Sequence, residues 1–335
     1  EVTLEDRENC NLFEIFPLIA EKQGWDLKEA FRLATRYAKR VTFSNYEWEI
    51  TRKVVEKNRR IGISMSGIQD WVLVRFGGRL VEGFQLAYDE NGEIIEEPIF
   101  NQEAAKVVDE LYKAVVEADK EYSEQLGCNR SIKLTTVKPS GTVSKLAGVS
   151  EGIHYHYDKY IIQRIRFQSN DPILSAIKFA GYKTEPDAYS PNTTVVEFLV
   201  KAPTAEYEKF MSAKDVPIEE QFANQAFMQK YWADNSVSIT ITFKEDEKDK
   251  IEKLLRQYRK YTKSTTLLPF SGHGYVQAPK EPISEEEYHE RTAQIKGDVQ
   301  EIYNLMQEAL RFHQTEQDLE IVGQEDCEGG ACPVK

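Results

Sequence analysis

At 335 residues the chain is long enough for one large domain or two ordinary ones, and 41% hydrophobic with 30% charged residues is a globular rather than a disordered composition. A formal charge of −13 argues against a general nucleic-acid-binding surface and leaves an anionic ligand only a local basic or amide-lined pocket. No apolar run reaches bilayer-spanning length and no signal-peptide pattern opens the sequence. Four cysteines without a dense framework suit a reducing cytoplasm, so any disulfide is expected to be catalytic.

The opening residues, Glu1-Val2-Thr3-Leu4-Glu5, alternate like a strand and lack an initiating Met, as a chain entered inside a domain would. A short, mostly apolar run from Cys10 to Pro17 reads as a buried strand end or loop with Cys10 at its mouth. A lone cysteine of this kind is more often a small packing residue than a reactive thiol. Asp26 caps an amphipathic helix over 27–41, with Leu27, Phe31, Ala34 and Ala38 on one face, and another helix is predicted over 48–58. Arg59-Arg60-Ile61-Gly62-Ile63-Ser64-Met65-Ser66-Gly67 then leads into a helix through Trp71 to Phe76. Its glycines allow backbone to approach a ligand, or merely a neighbouring element. Asp89-Glu90-Asn91-Gly92-Glu93 is a hairpin turn between strands at 80–88 and 94–99, and a long helix follows over 102–125. Cys128 falls at the end of that helix with nothing nearby to lower its thiol pKa, and reads as structural.

The most informative interior segment is strand-like at 133–137 and runs into Lys138-Pro139-Ser140-Gly141-Thr142-Val143-Ser144-Lys145. Strand, Pro/Ser/Gly/Thr turn and helix start is how a chain offers free N–H groups to an anion, with the helix dipole and two hydroxyls adding to the attraction. An ordinary capped helix is the bland alternative, and the P-loop spacing is absent. His154 and His156 share one face of an extended segment but lack a third metal ligand, so they read as surface or pocket residues. Arg164 and Arg166 lie in a strand pattern over 160–167, where they suit either phosphate recognition or a solvated face. Helices are predicted over 171–180, 218–232, 247–261 and 284–310, with strands over 193–200, 237–243 and 265–269. No repeat or linker interrupts them, so the chain reads as one α/β unit with a flexible end.

That end carries Cys327-Glu328-Gly329-Gly330-Ala331-Cys332-Pro333. Gly-Gly maximises chain entropy and Pro333 lacks a donor, so neither core nor helix is expected. The cysteine pair has three uses open to it: metal ligands, a structural staple, or a dithiol that travels. The tail is short of ligands for the first and has nothing nearby for the second, which favours the third.

Taken together, Cys10-Asn11-Leu12-Phe13-Glu14, Arg59-Arg60-Ile61-Gly62-Ile63 and Lys138-Pro139-Ser140-Gly141-Thr142 resemble the ribonucleotide reductases. With the Cys327…Cys332 tail, nearly the whole chain is similar to the carboxy-terminal part of the monomeric, adenosylcobalamin-dependent (class II) ribonucleoside-triphosphate reductases. The resemblance implies an α/β fold that is part of a ten-stranded α/β barrel over 1–312, with a redox tail over 313–335. It implies adenosylcobalamin as cofactor, a ribonucleoside triphosphate as substrate and a thioredoxin-like dithiol protein as partner. Glu1 would be the glutamate that works on the 3′-hydroxyl, and Cys10 one member of the substrate-reducing pair. Pro139, Ser140, Gly141 and Thr142 would form the substrate-phosphate loop, and Cys327 and Cys332 would re-reduce Cys10 and its partner by moving. The radical cysteine of the family's Asn-Pro-Cys-Gly-Glu loop would precede Glu1, and the second reducing cysteine and the deoxynucleotide effector site would lie further before it. A glycyl-radical or diiron-partnered reductase fits less well. From another class, a non-catalytic nucleotide- or metal-binding module with the tail cysteines as ligands is the alternative.

Overall fold

The computed structural model describes residues 4–270 and 276–313, so Glu1, Cys327 and Cys332 lie outside the described residues. The chain divides into two compact units, Glu1–Lys159 with Lys201–His273, and Tyr160–Val200 with Gly274–Lys335. The sequence showed no linker because none is needed: the smaller unit is made by strands pairing across a long sequence separation.

The larger unit opens with β1 (Asn11–Ile15), α1 (Pro17–Lys22), α2 (Leu27–Val41) and α3 (Glu49–Asn58), then β2 (Ile61–Met65) and α4 (Ile68–Phe76). A hairpin of β3 (Val81–Tyr88) and β4 (Ile94–Phe100) precedes the long α5 (Gln102–Leu126) and the single turn α6 (Val143–Leu146). The chain then enters the smaller unit with β5 (Tyr160–Gln168), α7 (Ile173–Phe179), β6 (Thr184–Pro186) and β7 (Thr193–Lys201). The larger unit resumes with α8 (Ile218–Tyr231), β8 (Thr240–Phe243), a 3₁₀ turn (Glu245–Lys250), α9 (Ile251–Tyr258) and β9 (Thr266–Pro269). Finally β10 (Lys280–Pro282), α10 (Glu285–Thr292) and α11 (Val299–His313) belong to the smaller unit.

Five parallel segments lie side by side in chain order in the larger unit. β1 pairs β2 with Asn11 opposite Ile61, and Ile63 bridges Thr135 in the segment 133–137. Val137 bridges Val237 at the start of the run that becomes β8, and β8 pairs β9. Helical crossovers separate consecutive members, as parallel strands require. This is the α/β architecture expected, seen as five consecutive strands of a barrel wall. The smaller unit is an antiparallel sheet in the order β10-β5-β7-β6 over a core of Leu174, Ile177 and Val196.

The alternation along the five strands separates their two faces. Phe13 and Ile15 of β1, Ile61, Ile63 and Met65 of β2, Val137, Val237, Ile239 and Ile241 join one apolar core with α2 and α8. α2 seats there because Leu27, Phe31, Ala34 and Ala38 recur at helical spacing, and Phe31 meets Trp232 edge-to-face at 5.1 Å. Asp26 starts that helix by accepting the Glu29 N–H at 2.9 Å. The sequence did not reveal a further tie between α2 and α5, the fully buried pair Lys39–Asp119 at 2.8 Å.

Two expectations about helices need correction. The helix predicted over 247–261 is α-helical only from Ile251, because Glu247 is used as a cap. Its carboxylate accepts from the backbone of Lys244 at 2.8 Å and of Ile218 at 3.0 Å. The helix predicted over 284–310 is two helices. Gly297 takes φ +81°, Lys296 turns its N–H to the Ala180 carbonyl at 2.7 Å, and Asp298 caps the second helix through Gln300 and Glu301.

Candidate active site

Cys10 enters β1 from a tight turn that is tied down on two sides. The Glu8 carboxylate accepts from Arg60 Nε at 3.0 Å and Asn58 Nδ2 at 2.9 Å, and closes on the Glu5 N–H at 2.8 Å. Glu5 in turn accepts from Lys57 and Asn58, both at 3.0 Å. The chain reverses just before β2 because Arg59 takes the left-handed conformation, φ +44°. Its guanidinium stacks on Phe43 at 4.0 Å and donates to the Thr42 carbonyl. The Arg-Arg pair is therefore structural on both counts, holding the turn and ending α3.

Cys10 is half-buried, and its Sγ stands 3.6 Å from the point where a Cβ on Gly62 would sit. That same point is 2.5 Å from Leu12 Cδ2 and 3.1 Å from Thr136 Cγ2, so only glycine leaves these neighbours undisturbed. Cys10, Leu12 and Thr136 thus share the strand face opposite the apolar core.

Two residues further along, the same face turns polar. Glu14 accepts from Ser66 Oγ at 2.5 Å and faces Lys138, whose Nζ is 3.6 Å from Glu14 Oε2. Lys138 is fixed at its backbone by an N–H donated to Ser64 Oγ at 2.9 Å. Burial pushes the Glu14 carboxyl above its ordinary value, and Ser66, Ser140, Lys138 and Ser64 pull it only part of the way back. Ser140 is close enough to favour the charged carboxylate. Even so, neither its hydroxyl nor Glu14 Oε2 makes a properly directed hydrogen bond, and both atoms are buried.

Loop 139–142 follows at once. Pro139, Gly141 and Thr142 are exposed while Ser140 is buried, and no backbone acceptor among the described residues takes the Gly141 or Thr142 N–H. The helix expected to begin here is only the four residues Val143–Leu146, too short for a macrodipole of consequence, so hydroxyls, amides and Lys138 are what the loop offers an anion. Two glycines hold this end together by letting backbones touch. A Cβ on Gly67 (φ +71°) would meet Val149, and one on Gly152 (φ +53°) would lie 2.2 Å from the Lys138 carbonyl. Of the two earlier readings of the 62–67 glycines, Gly67 therefore takes the neighbouring-element one. Ser66 Oγ also accepts the Gly152 N–H at 2.9 Å.

Asp70 of α4 anchors the following segment. It accepts from the Ser150 N–H at 3.1 Å, from Thr204 Oγ1 at 2.8 Å and from His156 Nε2 at 2.9 Å. Burial alone would raise its carboxyl, but the His156 hydrogen bond and charge, with Ser150 and Thr204, hold it below the usual range. His154 is used differently: its Nε2 accepts the Thr240 N–H, which leaves Nδ1 as the donor to the Glu151 carbonyl. The two histidines are thus committed to separate elements. Arg164 and Arg166 pair with Glu197 and Asp187 in the smaller unit, so they are spoken for by carboxylates. Cys128 follows Gly127 at the cap of α5, its N–H on the Ser123 carbonyl, as expected of a structural residue.

Of the residues singled out in the sequence, Cys10 and 139–142 share one wall but stand at opposite ends of it. The four residue steps from Cys10 to Glu14 along β1 span roughly 13 Å, which an extended nucleoside triphosphate can bridge. Glu14 and Gly152 were missed as site residues, while Gly62 was read only as a point of close backbone approach. Glu14 was quoted within a motif, and strand alternation from Cys10 would have placed it on the thiol's face.

A parallel α/β wall with a thiol at one end and a Lys-Pro-Ser-Gly-Thr loop at the other is the arrangement expected of part of an α/β barrel of the ribonucleotide reductase type. The comparisons with known proteins narrow it. The chain is 60% identical over 336 residues to the adenosylcobalamin-dependent ribonucleoside-triphosphate reductase of Lactobacillus leichmannii, matching 100% of this chain and 45% of that protein. It is 60% identical to the enzyme of the same name from Lactobacillus acidophilus and 55% identical to that from Levilactobacillus brevis, covering 44% of each and 100% of itself. The crystal structure of a B-12 dependent (class II) ribonucleotide reductase superposes with TM-score 0.87 at 60% identity, over 91% of this chain and 43% of that one. No family model matches. The chain belongs to the class II ribonucleotide reductase family, as a part of such an enzyme. It spans a little under half the length of the relatives it matches.

Proposed function

We propose that this chain contributes the Cys10 and phosphate-loop wall of an adenosylcobalamin-dependent enzyme that reduces ribonucleoside triphosphates to 2′-deoxyribonucleoside triphosphates. The observation that carries the reading is identity of 60% along the whole chain, joined to a wall on which Cys10 and Ser140 face the same side. Loss of the 2′-hydroxyl as water and its replacement by hydrogen takes two electrons and two protons. Cys10 and a second thiol outside this chain supply them and become a disulfide. Glu1 is the carboxylate that takes and returns the 3′-hydroxyl proton. Pro139, Ser140, Gly141 and Thr142 hold the phosphates through amides and hydroxyls, which suits an acidic protein. Cys327 and Cys332 carry electrons to the Cys10 disulfide and are reset by thioredoxin or a similar dithiol protein. The deoxynucleotide effector site belongs to the portion of the enzyme beyond this chain, and the enzyme works in the cytoplasm.

Adenosylcobalamin, when bound by the whole enzyme, supplies the radical such chemistry needs. The broad apolar cleft of about 750 Å³ beside β1 does not fit it. That cleft is lined by Phe13, Ile15, Trp25 and Tyr37, on the face of β1 opposite Cys10, so no residue here is assigned to the corrin. Among the described residues no helix is long and apolar enough to cross a membrane.

The full-length reductase tests the reading. Given a ribonucleoside triphosphate, adenosylcobalamin and a dithiol, Cys10→Ser is expected to end multiple turnover, and retained turnover would refute the assignment. The pair Cys327→Ser with Cys332→Ser is expected to lose thioredoxin-driven turnover yet keep much of the activity with a small dithiol; equal loss with both reductants would argue for a structural tail.

A further inference from the structure

Glu14 is the group in this wall that opposes an anion. Its carboxylate is nearly sealed from solvent, its side chain 5% exposed, at the C-terminal end of β1 beside the loop proposed to hold phosphates. A fixed negative charge there would weaken nucleotide binding by an order of magnitude or more at short range. The geometry supplies a partner that is held loosely. Lys138 Nζ is 3.6 Å from Glu14 Oε2, beyond hydrogen-bond reach, while Oε2 and Ser140 Oγ are both buried without a properly directed hydrogen bond. Lys138 is also the residue immediately before the loop, with its backbone pinned by Ser64. Only the side chain has to swing for the ammonium to pass from carboxylate to phosphate.

We propose that Glu14 is a positioning residue of the nucleotide site, holding Lys138 while the loop is empty and releasing it to the substrate's phosphates when the loop fills. The inference rests on the reading of 139–142 as the phosphate loop. Once Lys138 has left, the groups facing Glu14 are Ser64 of β2, Ser66 just beyond it and Ser140 of the loop. None of them carries positive charge. A buried carboxylate in that company, next to arriving phosphates, takes one proton from solvent, so nucleotide binding is coupled to proton uptake.

Calorimetric titration of the full-length reductase, in two buffers of different ionisation enthalpy, measures affinity and proton uptake together. The probes are a ribonucleoside triphosphate and inorganic tripolyphosphate. Glu14→Gln is expected to bind both about tenfold more tightly and to lose the proton uptake that the unaltered enzyme shows. Comparing the two proteins cancels the probe's own protonation. Glu14→Met, a second charge-free variant, must shift affinity in the same direction. Unchanged or weaker binding by both variants, or undiminished proton uptake, overturns the proposal. Ser140→Ala with Thr142→Ala separates this failure from that of the underlying reading. If the pair weakens both probes while the Glu14 variants change nothing, the phosphate loop stands and the handover falls; if it leaves tripolyphosphate binding untouched, the loop reading itself falls.

Discussion

The two faces of the same five strands are built to different ends. The face turned to α2 and α8 is continuous Ile, Val, Met and Phe, with Ile61, Ile63 and Met65 fully buried together with Phe31 of α2. The opposite face carries Cys10, Glu14, Ser64, Ser66, Thr136 and Lys138, small or polar residues whose hydrogen bonds are in places left open. Strand alternation lets one backbone serve both, so stability and chemistry can be altered separately although their residues are adjacent in sequence. The largest test of that division is on the apolar face. Phe31→Ala removes a fully buried ring from its edge-to-face contact with Trp232 and is expected to cost about 3–5 kcal/mol in urea unfolding. A loss under 1 kcal/mol would mean that this face does not carry the fold.

A smaller effect is expected across the sheet at Gly62. An added methyl would press on Leu12, Thr136 and the Cys10 thiol. Leu12 is 38% exposed and can give way, so Gly62→Ala is expected to cost only about 1–2 kcal/mol. Its main consequence is at sulfur: alkylation of Cys10 should slow several-fold relative to Cys128, read by mass spectrometry. Unchanged Cys10 reactivity together with a large stability loss would place Gly62 with the core instead.

Much of the apolar face was legible in the sequence, because its signals are local. Leu27, Phe31, Ala34 and Ala38 repeat at helical spacing behind the cap Asp26, and Asn91-Gly92 marks the hairpin. Gly297-Asp298 was equally local, a helix stop followed by a helix start, and was passed over inside an otherwise polar helical pattern. The polar wall was legible only in pieces. Cys10 and Ser140 were singled out by motif. Glu14, Ser66 and Lys138, however, meet only when three strands stand in register, with sequence separations of 52 between Glu14 and Ser66 and 74 between Ser64 and Lys138. Arg60 was noted but not its role, since nothing local announces that Glu8 completes a buried ion pair with it at 3.0 Å. Glu1 and the tail cysteines lie outside the described residues, and their roles rest on the resemblance.

The smallest effect separates two buried carboxylates by the sign of their pH dependence. Asp70 is held below its ordinary value by His156, Ser150 and Thr204 against the opposing pull of burial. Folding therefore gains from its charge above the unfolded carboxylate pKa, and that gain is lost as pH falls through the depressed folded value. Glu14 is raised by burial, so it favours the fold below the unfolded pKa, and this contribution is lost as pH rises through the elevated one. Urea midpoints measured from pH 2.5 to pH 8 should show Asp70→Asn falling further behind the unaltered protein as pH rises toward the ordinary carboxylate range, and Glu14→Gln gaining on it as pH rises above that range. If both differences ran in the same direction, Glu14 would be a satisfied structural acid like Asp70. A carboxylate that costs stability at neutral pH while standing beside the loop is instead what a wall kept open for a ligand would carry.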